Sequence, residues 1–488
     1  MNAAMKAPSV AADGASLPGL VLARALAEPA RTMVRAKRFG IWKETDGATL
    51  ARAVADCAAG LAELGLKPGE TAGILAAPSP EWLICDLAIQ SAGAIAAGLH
   101  AEAAPGELGA LVARCNVRVL IVDTLEAMDA ALDLRDAIPG IAKIVCFDAV
   151  AAAEIGDDNV IAFDALIARG AGSSARESAP WRAARGEALA AIIPTSGLSA
   201  PSRAAQFTHD ALRAAVDAAL SLVALRAGEE RLSLMPASHA FERVFGLYAC
   251  LAAGVIVNFP ESPETVAENL RELQPQVVSG SPALWSGFAR TMARASAGAT
   301  RLQRRLFESA MSGPGAFGSL VLRKVRRDFG LSRVRVALSA GAPLSPDVAG
   351  KLSALGVPVT DVYAVTEAAG AVAIAGPLSR QVLARCADTD FSNVAFPHGT
   401  SQEFYLGHAP VRAQRISYAG ELGWEIFFTP DFGSYVLRTL LATGAEFDMR
   451  PVGVEALESL RLEKGYRHWG TDVSYTDSPH EVGLSFAC

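Results

Sequence analysis

The residues with the clearest chemical potential lie in a run of small and hydroxylated side chains. Residues 191–199 (AIIPTSGLS) carry an apolar strand pattern directly into Thr195, Ser196, Gly197, Leu198 and Ser199. Small residues let backbone N–H groups approach a phosphate, and hydroxyls donate to its oxygens. Arg203, a few positions on, supplies a cation to offset phosphate charge. A polar turn after a strand is also an ordinary structural feature. Other side chains stand out singly. His239, Glu242 and Arg243 fall within LSLMPASHAFERVFGLY (232–248), Trp285 within SGSPALWSGF (279–288), and Glu425 in an apolar, aromatic stretch. On residue type alone, His239 reads as a core histidine with its hydrogen bonds satisfied, and Glu242 and Arg243 as a local ion pair. By the same standard Trp285 reads as core and Glu425 as an ordinary strand carboxylate.

The elements that would position these residues alternate between strand and helix. Thr49 is placed to cap a helix carrying Leu50, Val54, Cys57, Leu61 and Leu64 on one face, with Gly65 as its stop. TAGILA (71–76) reads as a buried strand, and Ser79-Pro80 opens the next helix with proline in its first turn. VRVLIVD (117–123) and KIVCFD (143–148) read as further strands, and the rhythm continues through 188–194, 209–225, 254–259, 276–280, 333–339 and 357–363. This alternation predicts an α/β fold with mostly parallel sheets covered on both faces. Residues 171–187 read as a surface loop. Beyond residue 375 the texture changes. Residues 403–428 read as consecutive strands with short turns, and helices follow at 432–443 and 452–464. That pattern predicts an antiparallel α+β module.

Composition narrows the function classes. The chain has 488 residues, which at about 150 per domain suggests roughly three domains. It is 51% hydrophobic and 19% charged, with mean hydropathy +0.28, so a disordered or fibrous protein is excluded. Net charge is −7, which argues against nucleic acid as the main partner. Seven scattered cysteines with no CxxC pair argue against a disulfide scaffold or structural zinc and point to a reducing cytoplasm. No uninterrupted apolar run reaches about 18 residues, so the expected membrane contact is at most peripheral. Asp13 and Pro18 interrupt any N-terminal targeting pattern.

Five segments resemble one family. Thr195–His209 (TSGLSAPSRAAQFTH) is similar to the Thr/Ser/Gly-rich phosphate loop of the adenylate-forming, AMP-binding enzymes. It departs from that pattern at Leu198, Ala200, Ser202, Arg203 and Ala204, and Arg203 stands where the family has lysine. PASHAFER (236–243) resembles a segment of long-chain acyl-CoA synthetases. ALSAGAPLSPDV (337–348) resembles the loop that holds adenine beside the acyl pocket, and DVYAVTE (361–367) the Y-G-x-T-E signature, with Ala364 in the glycine position. PEWLICDLAIQSAG (80–93) fits the same family's N-terminal region.

The resemblance spans about residues 15–371. It implies ATP-dependent activation of a fatty acid to an acyl-adenylate, followed by transfer to CoA. Thr195, Ser196, Gly197, Ser199, Arg203, Gly341, Ala342, Pro343 and Tyr363 would bind nucleotide. Thr366 would contact the α-phosphate and Glu367 would hold Mg²⁺, while His239 and Trp285 would border the acyl pocket. The family's ribose-binding Asp, hinge and lysine-bearing lid have no counterpart after residue 371, so impaired turnover is expected.

A second resemblance begins near Gly376. GPLSRQVLARCADTDFSNVAFPHGT (376–400), VRAQRISYAGELGWEIF (411–427) and residues 458–487 are similar to the tetrahydrofolate-binding aminomethyltransferase module, in the form found in dimethylglycine and sarcosine dehydrogenases. It implies that Glu425 holds a pterin and Tyr418 lines the site, a carboxylate being able to accept two parallel N–H bonds. The module's upstream catalytic Asp, its flavin domain and its C-terminal barrel have no counterpart. The expected organisation is therefore an AMP-binding domain at 1–375 and a partial folate-binding domain at 376–488, joined through alanine-rich 367–377. Three functions stay open on sequence: an AMP-forming ligase, a folate-binding one-carbon module, and an inactive chimera.

Overall fold

The computed structural model describes residues 16–100, 105–173, 185–195, 203–312, 316–341, 344–362, 370–428, 432–452, 454–467, 472–473, 478 and 480–483. The chain divides into two compact units. One comprises residues 1–280 and 299–338, the other 281–298 and 339–488.

In the first unit, one sheet has the strand order Val160–Ala162, Lys143–Cys146, Val117–Val122, Thr71–Leu75, Ile95–Gly98, Leu189–Thr195 and Arg203–Thr208. The pairings are parallel up to Leu189–Thr195, and Arg203–Thr208 then returns antiparallel. The parallel strands are nearly continuous apolar runs because helices cover both faces. Their core includes Leu120, Ile144, Val117, Cys146 and Met128, all fully buried. A second sheet of this unit carries Val277–Gly280, Glu230–Leu232, Ile256–Phe259, Thr32–Arg38 and Ile41–Asp46 in that order. The hairpin of Thr32–Arg38 with Ile41–Asp46 had no counterpart in the sequence reading.

Local signals explain several helix boundaries. Ser79 accepts from the Trp82 N–H at 3.1 Å, with Pro80 inside the first turn. The helix expected to be capped by Thr49 begins earlier, at Gly47–Glu63. Its cap is Asp46, which accepts from the Thr49 N–H at 2.8 Å. A carboxylate one turn upstream outcompetes the threonine for the free N–H groups and also favours the positive end of the helix dipole. Gly65 ends that segment at φ +92°.

The second unit contains the expected antiparallel sheet, in the order Gly370–Ala375, Gly423–Phe428, Ala409–Gln414, Ser401–Leu406. Alternating burial along Ala409–Gln414 places Val411 and Ala413 on the core face. Trp424, Phe391 and Phe396 form the aromatic centre, with Phe391 edge-on to Trp424 at 5.6 Å. The alanine-rich stretch before Gly376 is the edge strand Gly370–Ala375, hydrogen-bonded along Gly423–Phe428. Helices Ser379–Cys386 and Gly433–Gly444 complete the core.

Candidate functional site

In the first unit, the carboxyl ends of two adjacent parallel strands gather the chemistry-bearing residues. Ile95–Gly98 pairs with Leu189–Thr195 in register Ala96↔Ala191 and Ala97↔Ile192. Ligands of α/β sheets sit beyond such strand ends. The strand Leu189–Thr195 pairs antiparallel with Arg203–Thr208, and its last pair is Thr195↔Arg203. The backbone therefore sets the first residue of the Ser/Thr/Gly-rich loop opposite the nearby arginine. Ser196, Gly197 and Ser199 lie outside the described residues.

The closing Thr208-His209 pair of that motif has a structural role here. Thr208 caps helix His209–Leu222 by accepting from the Ala211 N–H at 3.1 Å. His209 is fully buried, and its Nδ1 accepts from the Leu17 N–H at 3.2 Å. Burial depresses its pKa to about 4.

Segment 235–243 packs against the same strand ends. A side chain at Gly98 would come within 3.0 Å of the Ser238 Cα, so glycine is what allows this approach. The Ser238 hydroxyl lies 2.8 Å from Nδ1 of His100, just beyond the strand Ile95–Gly98. The Nδ1 of His239 accepts from the Phe241 N–H at 3.2 Å, which puts the proton of the neutral ring on Nε2. Burial, reinforced by His100, lowers the His239 pKa and favours that neutral form.

The residues following His239 form a buried frame. Glu242 and Arg243 are both fully buried, and the local pair expected between them does not form. Glu242 instead takes a two-pronged bond from Arg231, with both N–O distances 2.9 Å, and a bond from the Ser233 hydroxyl at 2.7 Å. Arg231 also donates to the Gly246 carbonyl and the Ser279 hydroxyl. Arg243 is paired with Asp86 and donates to the carbonyls of Ala96 and Ile192 on the two central strands. Tyr248 donates to Asp86 and accepts from Arg243 Nε at 2.8 Å and Gln90 at 3.0 Å.

This geometry depends on Glu242–Ala249 being a π-helix. Its i to i+5 repeat sets Tyr248 over Arg243, whereas the tighter α-helix would rotate them apart. Burial opposes the charge on Arg243, but the adjacent Asp86 carboxylate outweighs it and raises the pKa. Burial also pushes the Tyr248 hydroxyl well above the usual phenol range. Sequence reasoning missed Asp86, Arg231, Tyr248 and His100. The available signal was Asp86, a lone carboxylate inside the apolar helix WLICDLAI.

In the second unit, Gly341 ends its strand at φ +98°, a left-handed conformation suited to glycine. The Leu344 N–H donates to Asp361 at 3.0 Å, tying the 337–348 loop to the start of the 361–367 motif. Ala342, Pro343, Tyr363, Thr366 and Glu367 lie outside the described residues. Trp285, on helix Pro282–Gly298, is fully buried with its ring 5.8 Å from Phe288.

Glu425 lies in the central strand Gly423–Phe428, on the face opposite Trp424 and Ile426. It is half-buried, burial raises its pKa, and its carboxylate bonds no other described residue. Tyr418 donates to Glu458 at 2.6 Å, and burial, then this carboxylate, raise its pKa to about 12. Arg461 clamps Glu458 and Asp472 and donates to the Tyr466 carbonyl at 3.0 Å. Both glycines of the AGELGWE motif answer to packing. A side chain at Gly420 would meet Lys464 at 2.6 Å, and one at Gly423 would meet the Ile374 carbonyl at 2.8 Å.

The family model for AMP-binding enzymes matches residues 23–395. The chain belongs to this family. A second model, the GCVT N-terminal domain, matches residues 345–488 of this AMP-binding family member. Long-chain-fatty-acid–CoA ligase FadD15 of Mycobacterium bovis is 26% identical over 356 residues, covering 69% of this chain and 58% of the ligase. Human mitochondrial sarcosine dehydrogenase is 42% identical over 123 residues, covering 25% of this chain and 13% of the dehydrogenase. Among solved structures, the adenylation domain of a Mycobacterium chelonae carboxylate reductase superposes with TM-score 0.65 at 16% identity, over 98% of this chain and 88% of that one. The A domain of the Segniliparus rugosus carboxylic acid reductase, solved with AMP and a co-purified carboxylic acid, gives TM-score 0.60 at 17% identity, over 82% of this chain and 67% of that one. These likenesses establish the adenylation-domain fold for the AMP-binding chain. Its span is 13% of the length of sarcosine dehydrogenase and 58% of that of FadD15.

Proposed function

We propose that this AMP-binding protein forms an acyl-adenylate from a fatty acid and ATP and then transfers the acyl group to CoA. A carboxylate oxygen attacks the α-phosphorus, and the bond from that phosphorus to the bridging oxygen breaks, releasing pyrophosphate. The CoA thiol next attacks the acyl carbon and AMP leaves. Two anions must meet in the first step, so fixed donors and positioning matter more than covalent help from the protein. Thr195, Ser196, Gly197 and Ser199 cradle phosphate with Arg203 as the cation. Gly341, Ala342, Pro343 and Tyr363 hold the adenine side, and Thr366 and Glu367 take the α-phosphate and Mg²⁺. His239 and Trp285 border the acyl group, and His239 offers a neutral Nε2–H donor.

The observation that carries this reading is the Thr195↔Arg203 pairing at the end of a parallel strand, inside a family match covering most of the chain. The test is palmitate-dependent exchange of labelled pyrophosphate into ATP. Exchange that requires Mg²⁺ and drops at least tenfold in Arg203→Ala supports it. Absence of fatty-acid-dependent exchange with any chain length refutes it.

The GCVT match and the position of Glu425 favour a second reading, tetrahydrofolate binding by the C-terminal module. A half-buried carboxylate that bonds no other described residue fits a ring edge presenting two N–H groups. Saturable tetrahydrofolate binding that weakens in Glu425→Ala would support it, and binding unchanged by that substitution would refute it. We place the protein in the cytoplasm. Six cysteines among the described residues are free and buried, which supports a reducing compartment.

A further inference from the structure

Beside the phosphate-loop strand stands a histidine to which the reaction above gives no role. His100 lies just past the strand Ile95–Gly98 and is half-buried. That strand pairs with Leu189–Thr195 in register Ala96↔Ala191 and Ala97↔Ile192. Continued to its end, the register sets His100 level with Thr195, which opens the Ser/Thr/Gly-rich loop and pairs with Arg203. Segment 236–243 packs against the same place. The Ser238 hydroxyl lies 2.8 Å from Nδ1 of His100. Gly98 permits the contact, since a side chain there would come within 3.2 Å of the Ser238 Cβ. His239 follows Ser238 directly and is also half-buried. Burial lowers the pKa of His239 and His100 adds to that effect, so the two rings stand close enough to sense each other's charge. Arg243 reaches the end of this strand too, but its donors go to Asp86, Tyr248 and the carbonyls of Ala96 and Ile192.

We propose that His100 and His239 together hold the carboxylate of the acyl substrate, with His100 as the donor nearer the phosphate loop. The proposal rests on the acyl-adenylate reading above and adds to it the group that orients the attacking oxygen. A carboxylate accepts hydrogen bonds on both of its oxygens. One imidazole would leave it free to swing about a single bond. Two rings on different segments fix its plane, so that one oxygen faces the phosphate loop. Each ring is itself held at Nδ1, His100 by the Ser238 hydroxyl and His239 by the Phe241 N–H. With the hydroxyl donating to Nδ1, the neutral His100 ring carries its proton on Nε2, as His239 does. Both rings then offer the same kind of donor. An anion between them also offsets the opposition between their charges. Neutral donors suit this step better than an arginine would. A full ion pair would stabilise the ground-state carboxylate and lose that stabilisation as the oxygen attacks.

In palmitate-dependent exchange of pyrophosphate into ATP, His100→Phe should raise the KM for palmitate by about tenfold or more, the loss of one hydrogen bond to a charged group. The KM for ATP should stay as it is. His100→Gln places an amide N–H near the position of Nε2–H and should recover most of the loss. Binding measured without ATP separates contact from packing. Palmitate should bind about tenfold more weakly to His100→Phe, whereas hexadecanol, the same chain without the carboxylate, should lose much less. Should these variants misfold, diethyl pyrocarbonate labelling of the unaltered chain replaces them. Palmitate should then shield His100 and His239 together and leave the exposed His398 and His408 reactive. Wild-type exchange with no change in the palmitate KM of His100→Phe overturns this proposal alone. So does an equal loss of palmitate and hexadecanol binding, which would assign His100 to packing, or labelling of His100 that palmitate leaves untouched. Absence of fatty-acid-dependent exchange in the wild type removes the acyl-adenylate reading, and this proposal with it.

Discussion

At the scale of single residues, the first unit commits two arginines and two carboxylates to full burial, and each is matched. Ion pairs of this kind add little net stability when intact, but removing one partner strands a charge in a low dielectric. Asp86→Ala should therefore cost about 3–5 kcal/mol, seen as a lower urea midpoint at constant slope. Asp86→Ala combined with Arg243→Leu should recover part of that loss, because no buried charge is then left alone. His209 gives a second residue-scale expectation. Its pKa is about 4 in the folded chain, below the ordinary histidine value, so the unfolded chain binds the extra proton first. Stability should be complete above about pH 6.5 and should fall as pH drops from there towards 4, by up to about 3 kcal/mol. A His209→Gln variant should show a flatter melting-temperature profile over that window.

At the scale of elements, the π-helix Glu242–Ala249 holds both buried arginines in reach. Gly246 is its tightest point. A side chain there would stand 2.7 Å from the Glu242 carboxylate and 2.8 Å from an Arg231 nitrogen. Gly246→Ala should therefore destabilise the chain, although alanine is the better helix former by about 1 kcal/mol, and differential scanning calorimetry should show the lower melting point. The motifs themselves were legible as short strings, and their strands fell where alternation placed them. The partners were not legible. Glu242 sits beside Arg243 in sequence, so proximity suggested a pair, whereas the π-helical turn sends one side chain to Arg231 and the other to Asp86. The cap of Gly47–Glu63 moved to Asp46 for a related reason, since two acceptors competed and the carboxylate prevailed.

At the scale of the molecule, each compact unit has its own core. One is built around Leu120 and Ile144, the other around Trp424 and Phe391. Separate cores predict separate melting. Calorimetry should resolve two transitions, and Gly423→Ala, whose added methyl meets the Ile374 carbonyl, should shift only the one belonging to the antiparallel sheet. A single transition shifted as a whole by that substitution would contradict this expectation.

By itself the sequence determined the α/β alternation, the antiparallel texture after residue 375 and the two family signatures. All three are written in local periodicity and short motifs, which need no knowledge of distant contacts. The tertiary structure decided which residues meet. His100 joins Ser238 across 138 positions, Asp86 joins Arg243 across 157, and Gly370–Ala375 becomes the edge strand of the C-terminal sheet. Such pairings depend on strand order and on the desolvation of buried charge, and neither leaves a periodic trace along the chain.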